Sequence, residues 1–202
     1  MKKPLEIDVY FDYICPWCYV ASFRLLMLKE ECGEKISIQW KSFPLDPHGW
    51  RPKYPVPLLN QSRLRAGREE EKAVIEPWPE DKPLPASSMP AHEAARCAQL
   101  QGAEAFQGYH MALMQAYFSH CQDISDRQVL ISLAEDIHLD IKKFIADLDS
   151  EIPRARVLAE YEEAVTDGNI VGVPTVIIGQ RAVLEAAVPL ELYRHAVQRL
   201  SQ

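Results

Sequence analysis

Apolar and polar residues alternate in two stretches near the N-terminus, and a helical period separates them. Residues 5–11 (LEIDVYF) and 36–43 (ISIQWKSF) place an apolar side chain at every second position, as a strand with one buried face requires. The segment between them, from about Trp17 to Glu31, predicts a helix that stops at Gly33. This order favours a parallel strand pair joined by a right-handed crossover.

The last quarter of the chain predicts two strands with a helix on each side. A helical pattern ends near Gly168, and VGVPTVIIG predicts a strand that is entered through a proline. Gly179 and Gln180 indicate a turn, RAVLEA indicates a second strand, and Pro189 starts the final helix. The two ends of the chain therefore give β-α-β and α-β-β-α, the element order of a thioredoxin fold.

The middle of the chain predicts helices and loops. Ten of the 15 prolines lie between Pro44 and Pro90, which indicates a loop-rich stretch with one short charged helix at about 62–74. We expect this helix to be solvated, because three arginines precede three glutamates in it. The arginines are Arg63, Arg65 and Arg68.

Further helices follow in the same region. Residues 87–102 predict one with Ser87 or Ser88 near its cap, and 123–139 predict another capped by Ser125. Apolar residues at helical spacing between them indicate a helix that packs on the core; they are Phe106, Tyr109, Leu113 and Tyr117.

These patterns predict an α/β protein with a split domain. A thioredoxin-like domain would consist of residues 1–60 and 150–202, and a helical insertion domain would occupy 61–149. A chain of 202 residues with 48% hydrophobic and 25% charged residues has the usual composition of a globular protein and can bury a core.

Charge and hydropathy restrict the partners and the cellular compartment that we expect. A net charge of −7 without a long basic run excludes nucleic acid as an expected partner. We expect no membrane span, because no run of 18 apolar residues occurs. The N-terminus lacks the apolar segment of a signal peptide, so we expect a cytoplasmic protein whose five cysteines are mostly thiols.

The stretch DYICPWCYV holds the strongest chemical signal, a Cys-x-x-Cys at the start of a helix. There the helix dipole and the free backbone N–H groups favour a thiolate at Cys15. Cys18, one turn further on, can resolve a mixed disulfide that Cys15 forms. Pro16 suits the first helical turn, because its missing N–H would be unpaired there anyway.

Two other interpretations of the pair are weaker. A structural zinc site needs four ligands, and the sequence has neither a second Cys-x-x-Cys nor a His-x₃₋₅-His, so we predict no metal. A purely structural pair is unusual at a junction between strand and helix.

Pro174, at the start of a late strand, faces the cysteine pair in a thioredoxin fold. A cis Val173–Pro174 bond would offer the backbone of Val173 to an extended substrate.

The motifs together resemble the DsbA-like family of the thioredoxin superfamily, in particular its FrnE-type branch. The resemblance rests on FDYICPWCYVA, KSFPLDPHG, SSMPAHEAARCAQLQG, DISDRQVLISLAEDIHLDIKKF and DGNIVGVPTVIIG, in this order over nearly the whole chain. It implies a dithiol–disulfide oxidoreductase or isomerase. It also implies protein or small-molecule thiols as partners, with glutathione as a possible co-substrate and no cofactor. The functional positions of the family match Cys15, Cys18, Val173 and Pro174.

A sister branch resembles kappa-class glutathione transferases and chromene carboxylate isomerases, and it has a serine where this chain has Cys15. Transfer of glutathione without redox cycling therefore stays open as a second hypothesis. A third hypothesis is a redox-inactive peptide-binding or chaperone module, in which the insertion supplies a groove.

Several residues near the motif have two interpretations each. Val9 stands where many thioredoxins carry a buried acid. Asp12 either lies near Cys18 or, as we favour, caps the start of the helix or lies in the loop in contact with solvent. His92 either lies near the dithiol or, as we favour, lies on a helix surface. Trp17 either contacts substrate or is a partly exposed aromatic. We expect three more cysteines to be buried or half-buried thiols; they are Cys32, Cys97 and Cys121.

Overall fold

The computed structural model of the protein describes residues 3–47 and 55–201. Its strands are β1 (Leu5–Phe11), β2 (Ile36–Ser42), β3 (Thr175–Ile178) and β4 (Ala182–Glu185). They form one sheet with the order β2-β1-β3-β4, in which β1 pairs parallel with β2 and antiparallel with β3. A hairpin through Gly179 and Gln180 joins β3 to β4, and both turn residues have positive φ.

The helices flank this sheet in the predicted order. They are α1 (Pro16–Cys32), α2 (Val56–Gly67), α3 (Met89–Gln99), α4 (Ala103–Phe118), α5 (Arg127–Asp136), α6 (Ile141–Leu148), α7 (Ile152–Thr166) and α8 (Leu190–Leu200). One end of the chain is β1-α1-β2 and the other is α7-β3-β4-α8, so the predicted thioredoxin fold is confirmed. Helices α2 to α6 lie between the two ends. No described helix is long and apolar enough to cross a membrane.

The central strand β1 has buried side chains on both faces of the sheet. Ile7, Val9 and Phe11 of β1 are at most 1% exposed and join the main core, as their alternation predicts. Tyr10 points to the other face and packs in a smaller cluster with Ala164 of α7. The main core also takes side chains from α3, α4 and α5, so the inserted helices and the sheet share one hydrophobic interior.

The charged helix of the middle region lies earlier than the sequence pattern predicts. Helix α2 covers Val56–Gly67 instead of about 62–74, and residues 68–74 are not helical. Pro55 precedes α2 and Pro57 lies in its first turn, where a missing N–H breaks no hydrogen bond. These prolines start a helix, and the prediction of a loop at this point was wrong.

The predicted domain boundary between residues 60 and 61 falls inside α2, and the division into two domains stays a prediction.

The predicted cap of α5 is also corrected. Asp126 caps the helix and accepts a hydrogen bond from the Gln128 N–H at 2.7 Å. Ser125 lies one residue earlier, and its hydroxyl accepts from the Ala86 N–H at 3.2 Å. A carboxylate is a stronger acceptor for a helix N–H than a hydroxyl, and its charge also suits the helix dipole.

A buried ion pair connects the insertion to the sheet. Arg96 of α3 lies 2.8 Å from the carboxylate of Glu160 on α7, and both side chains are less than 10% exposed. Arg96 also donates to the Trp40 carbonyl at 3.0 Å and to the Ser42 hydroxyl at 2.8 Å. The guanidinium of Arg96 therefore connects α3 to α7 and β2, which are distant from it in the sequence.

Candidate active site

Cys15 lies at the start of α1, at the end of the loop that follows β1. Its backbone is extended (φ −88°, ψ 113°), and its carbonyl accepts from the N–H groups of Cys18 and Tyr19 at 3.0 and 3.3 Å. Pro16 occupies the first helical turn, as predicted. The positive end of the helix dipole therefore lies beside the Cys15 sulfur.

The Cys15 thiol faces the loop before β3. Its Sγ lies 3.5 Å from the carbonyl oxygen of Val173, to which the thiol donates. The Val173–Pro174 peptide bond is cis. The fold thus brings together Cys15 and Val173, which are 158 residues apart in the chain.

Cys18 lies behind Cys15 and is 1% exposed, whereas Cys15 is 7% exposed. Burial raises the pKa of the Cys18 thiol well above its ordinary value, and the hydrogen bond and charge of Cys15 raise this pKa further. The Cys18 thiol is therefore protonated at neutral pH in the reduced protein.

Asp12 is buried, so the favoured interpretation as a solvated or helix-capping residue was wrong. Its side chain is fully buried, and its two oxygens accept from the backbone N–H groups of Ile14 at 3.2 Å and Leu45 at 2.6 Å. The negative charge of Asp12 contributes to the raised pKa of Cys18. Asp12 thus holds the loop after β2 against the loop that carries Cys15.

His92 is also buried, and its expected place on a helix surface was wrong. It is 0% exposed, and its Nε2 lies 3.4 Å from Oδ1 of Asp12. Its ring packs against Phe11 and Tyr13, with centroids 5.3 and 4.9 Å away. Helix α3 carries seven other buried residues and faces the core almost all round, so few of its positions point to solvent.

A second buried histidine, which the sequence analysis did not single out, connects α4 to α1. His110 lies 3.1 Å from the Tyr13 hydroxyl through Nδ1 and 3.1 Å from the Ser22 hydroxyl through Nε2. Ser22 in turn donates to the Cys18 carbonyl at 2.9 Å. Burial lowers the pKa of His110 from 6.5 to about 3, so the ring is neutral at physiological pH.

The direction of each hydrogen bond in this network follows from the carbonyl at its end. A carbonyl only accepts, so Ser22 gives its single proton to Cys18 and accepts from His110. His110 therefore carries its proton on Nε2 and accepts from the Tyr13 hydroxyl at Nδ1. The signal for this residue was its spacing, because position 110 follows Phe106 by four residues and falls on the apolar stripe of α4.

The residues between the two cysteines in the chain are apolar. Trp17 is half-buried and packs against the main core, while Pro16 is buried. Val171, two residues before Val173, is 91% exposed, and Leu45, whose N–H contacts Asp12, is 50% exposed. Whether Pro16, Trp17 and Val173 contact a substrate stays a prediction.

The other cysteines match their expected environment, whereas one arginine does not. Cys97 and Cys121 are buried and Cys32 is half-buried, and all five cysteines are free thiols. Arg63 is 0% exposed, so the expectation that it lies on a solvated helix face was wrong. Its helix turns this residue towards α4, where the guanidinium caps backbone carbonyls.

The fold and the site together define a thioredoxin-fold protein with a Cys-x-x-Cys pair at the start of its first helix. Residues 6–198 match the family described as the DSBA-like thioredoxin domain. The chain therefore belongs to this family, as its motifs suggested. Its assignment to the FrnE-type branch stays a prediction.

Individual relatives span most of the chain. The chain is 28% identical to protein YwbO of Bacillus subtilis in an alignment of 211 positions that covers 91% of each chain. It is 30% identical to the ClpXP adapter protein SpxH of Halalkalibacterium halodurans over 74% of this chain, but spans only 51% of the adapter. The cytosolic disulfide reductase DsbM of Pseudomonas aeruginosa, solved with GSH, shares the fold. Its TM-score is 0.75 at 19% identity, over 98% of this chain and 100% of that one.

Proposed function

We propose that the protein is a dithiol–disulfide oxidoreductase or isomerase that works through Cys15 and Cys18. The observation that carries this proposal is the geometry of the pair: Cys15 lies at a helix N-terminus, 3.5 Å from the Val173 carbonyl, with Cys18 buried behind it. Membership of the DSBA-like family supports it.

The proposed reaction runs through a mixed disulfide. The Cys15 thiolate attacks one sulfur of a substrate disulfide, a bond forms between the two sulfurs, and the other substrate sulfur leaves as a thiolate that takes up a proton. The Cys18 thiol then loses its proton and attacks Cys15. The Cys15–Cys18 disulfide forms, the second substrate thiol is released, and two electrons have passed from the protein to the substrate.

The backbone at Val173 and the exposed apolar side chains nearby would hold the substrate. An extended peptide that crosses the Val173–Pro174 loop would find the polar backbone of Val173 beside the sulfur of Cys15. Val171, two residues before Val173, exposes apolar surface, which suits a partly unfolded protein substrate.

We infer reduction or isomerisation in a cytoplasmic setting, with glutathione as the small-molecule thiol that regenerates the dithiol. The described fold is shared with DsbM, which is named a cytosolic disulfide reductase and was solved with GSH. The two cysteines supply both electrons, so the reaction needs no further cofactor. A glutathione-reduced compartment keeps such a pair mainly in its dithiol form.

The experiment that tests this function measures the Cys15–Cys18 couple in glutathione redox buffers and then traps its intermediate. We expect a reversible two-electron couple within roughly −270 to −120 mV, the range that related folds cover. Cys18→Ser should accumulate a mixed disulfide between Cys15 and glutathione, visible by mass spectrometry, and Cys15→Ser should form none. Absence of any reversible couple in the wild type refutes the proposal.

The same variants separate the two remaining hypotheses. A glutathione-dependent transferase or isomerase would keep its turnover in Cys18→Ser, because it needs only one thiol. A binding module would keep its activity after loss of both cysteines, and the similarity to a protein named as a ClpXP adapter favours binding as a second candidate function.

A further inference from the structure

The inserted helices contain a buried cation that has no carboxylate partner. Arg63 of α2 is 0% exposed, and none of the ion pairs between described residues involves it. The other buried arginines differ, because Arg24 lies 3.4 Å from Glu70 and Arg96 lies 2.8 Å from Glu160. A guanidinium keeps its proton inside proteins, so a positive charge is present here.

Carbonyl oxygens and aromatic faces satisfy this charge only in part. Arg63 donates to the carbonyls of Glu76, Tyr117 and Phe118 at 2.9 to 3.1 Å, and its carbon Cζ lies 4.9 Å from the centroid of the Tyr117 ring. Its Nη1 group has no hydrogen-bond partner. Burial raises the pKa of the Tyr117 hydroxyl to about 12, so this group does not supply a negative charge.

One sulfur lies against this guanidinium. Sγ of Cys121 is 3.7 Å from Nη2 of Arg63 and 3.6 Å from the Pro77 carbonyl, to which its thiol donates. Cys121 is 7% exposed, the same fraction as Cys15. The thiol therefore lies in contact with a buried cation, a neighbour that favours the thiolate.

We propose that Cys121 is a peroxide-sensitive thiol whose oxidised sulfur–oxygen group is bound by the guanidinium of Arg63. The sulfur attacks one oxygen of hydrogen peroxide, an S–O bond forms and the O–O bond breaks. The leaving hydroxide takes the thiol proton and becomes water. Sulfur loses two electrons, peroxide gains them, and Cys121 becomes a sulfenic acid. This modification does not depend on the exchange reaction of Cys15 and Cys18.

The molecule offers matched internal controls for this proposal. Cys32 is half-buried and thus more accessible than Cys121, and the cation near it, Arg194, is already paired with Glu31 and Glu191. Cys97 is fully buried, and burial raises its pKa to about 12. Accessibility alone therefore predicts that Cys32 oxidises first, whereas the Arg63 contact predicts Cys121.

The test uses the full chain with Cys15→Ser and Cys18→Ser, so that the dithiol does not consume the oxidant. The folded protein is exposed to hydrogen peroxide, catalase stops the reaction, and unfolding in urea with dimedone labels each sulfenic acid for peptide mass spectrometry. We expect Cys121 to react about tenfold faster than Cys32, the effect of one charge-assisted hydrogen bond. Adding Arg63→Lys should slow Cys121 by a similar factor, while the exposed control Arg65→Lys should not.

Two results would overturn the proposal: oxidation of Cys32 ahead of Cys121, or a Cys121 rate that Arg63→Lys leaves unchanged. Circular dichroism first establishes that the lysine variant folds. If it does not fold, the comparison of Cys121 with Cys32 in the unchanged Arg63 background decides alone, because it needs no substitution in α2.

Discussion

The buried network at His110 makes the stability of the protein depend on pH. The pKa of His110 is lowered from 6.5 to about 3 by burial, with further lowering by the charges of His92 and Arg96. Between these two values the unfolded chain binds a proton that the folded protein excludes. A depressed folded-state pKa contributes stability that is fully present above the unfolded value and is lost as the pH falls below it.

The magnitude follows from the shift. Each pH unit below 6.5 costs about 1.4 kcal/mol of unfolding free energy until the folded protein itself takes up the proton near pH 3. Lowering the pH from about 7 to about 5 should therefore remove about 2 kcal/mol through this histidine. His110→Gln keeps an amide donor for Ser22 but cannot titrate, so this part of the loss should disappear.

The assay is urea unfolding of wild type and His110→Gln at both pH values. The variant is expected to be less stable at neutral pH, because the centroid of the His110 ring lies 4.3 Å from that of the Trp40 ring. This loss does not affect the test, because the quantity compared is the change in unfolding free energy of each protein between the two pH values. His195→Gln, at an exposed position, shows what removal of a surface histidine does. Equal pH dependence in wild type and His110→Gln would refute the neutral, buried state of His110.

Three further predictions concern the ion pair, the buried acid and the apolar rim. Arg96→Met should cost about 3–5 kcal/mol in urea unfolding, because it leaves the Glu160 carboxylate buried without its main partner. Arg156→Met removes the half-exposed partner 3.5 Å from the same carboxylate and should cost less than about 1 kcal/mol; equal costs would contradict this ranking. Asp12→Asn, in a Cys15→Ser background, should lower the pKa of Cys18, because a negative charge is removed. A pH titration of the ultraviolet absorbance of the thiolate measures this pKa. An unchanged or higher pKa would show that Asp12 does not act on this thiol. Val171→Glu should reduce kcat/KM for acidic peptide disulfides at unchanged stability, whereas Ile152→Glu, at an exposed position on α7, should not; equal effects would show that Val171 lies outside the substrate path.

The sequence by itself predicted the strands, most helices and the position of the Cys15–Cys18 pair at the start of a helix, because these features depend on local patterns. Alternation of apolar residues specifies a strand face, and a proline after Cys15 suits a helix start. The position of α2 was missed for a related reason. Pro55 and Pro57 indicate a loop in the sequence pattern, although proline in a first turn also begins a helix.

Only the tertiary structure decided which polar side chains are buried. Asp12, Arg63, His92 and His110 are all inside the protein, and only His110, on the apolar stripe of α4, carries a local signal of burial. Each depends on partners far away in the sequence: Tyr13 and His110 are 97 residues apart, and Arg63 and Phe118 are 55 apart. Burying a polar or charged group is favourable only when such partners satisfy its hydrogen bonds, and chain folding alone brings those partners together.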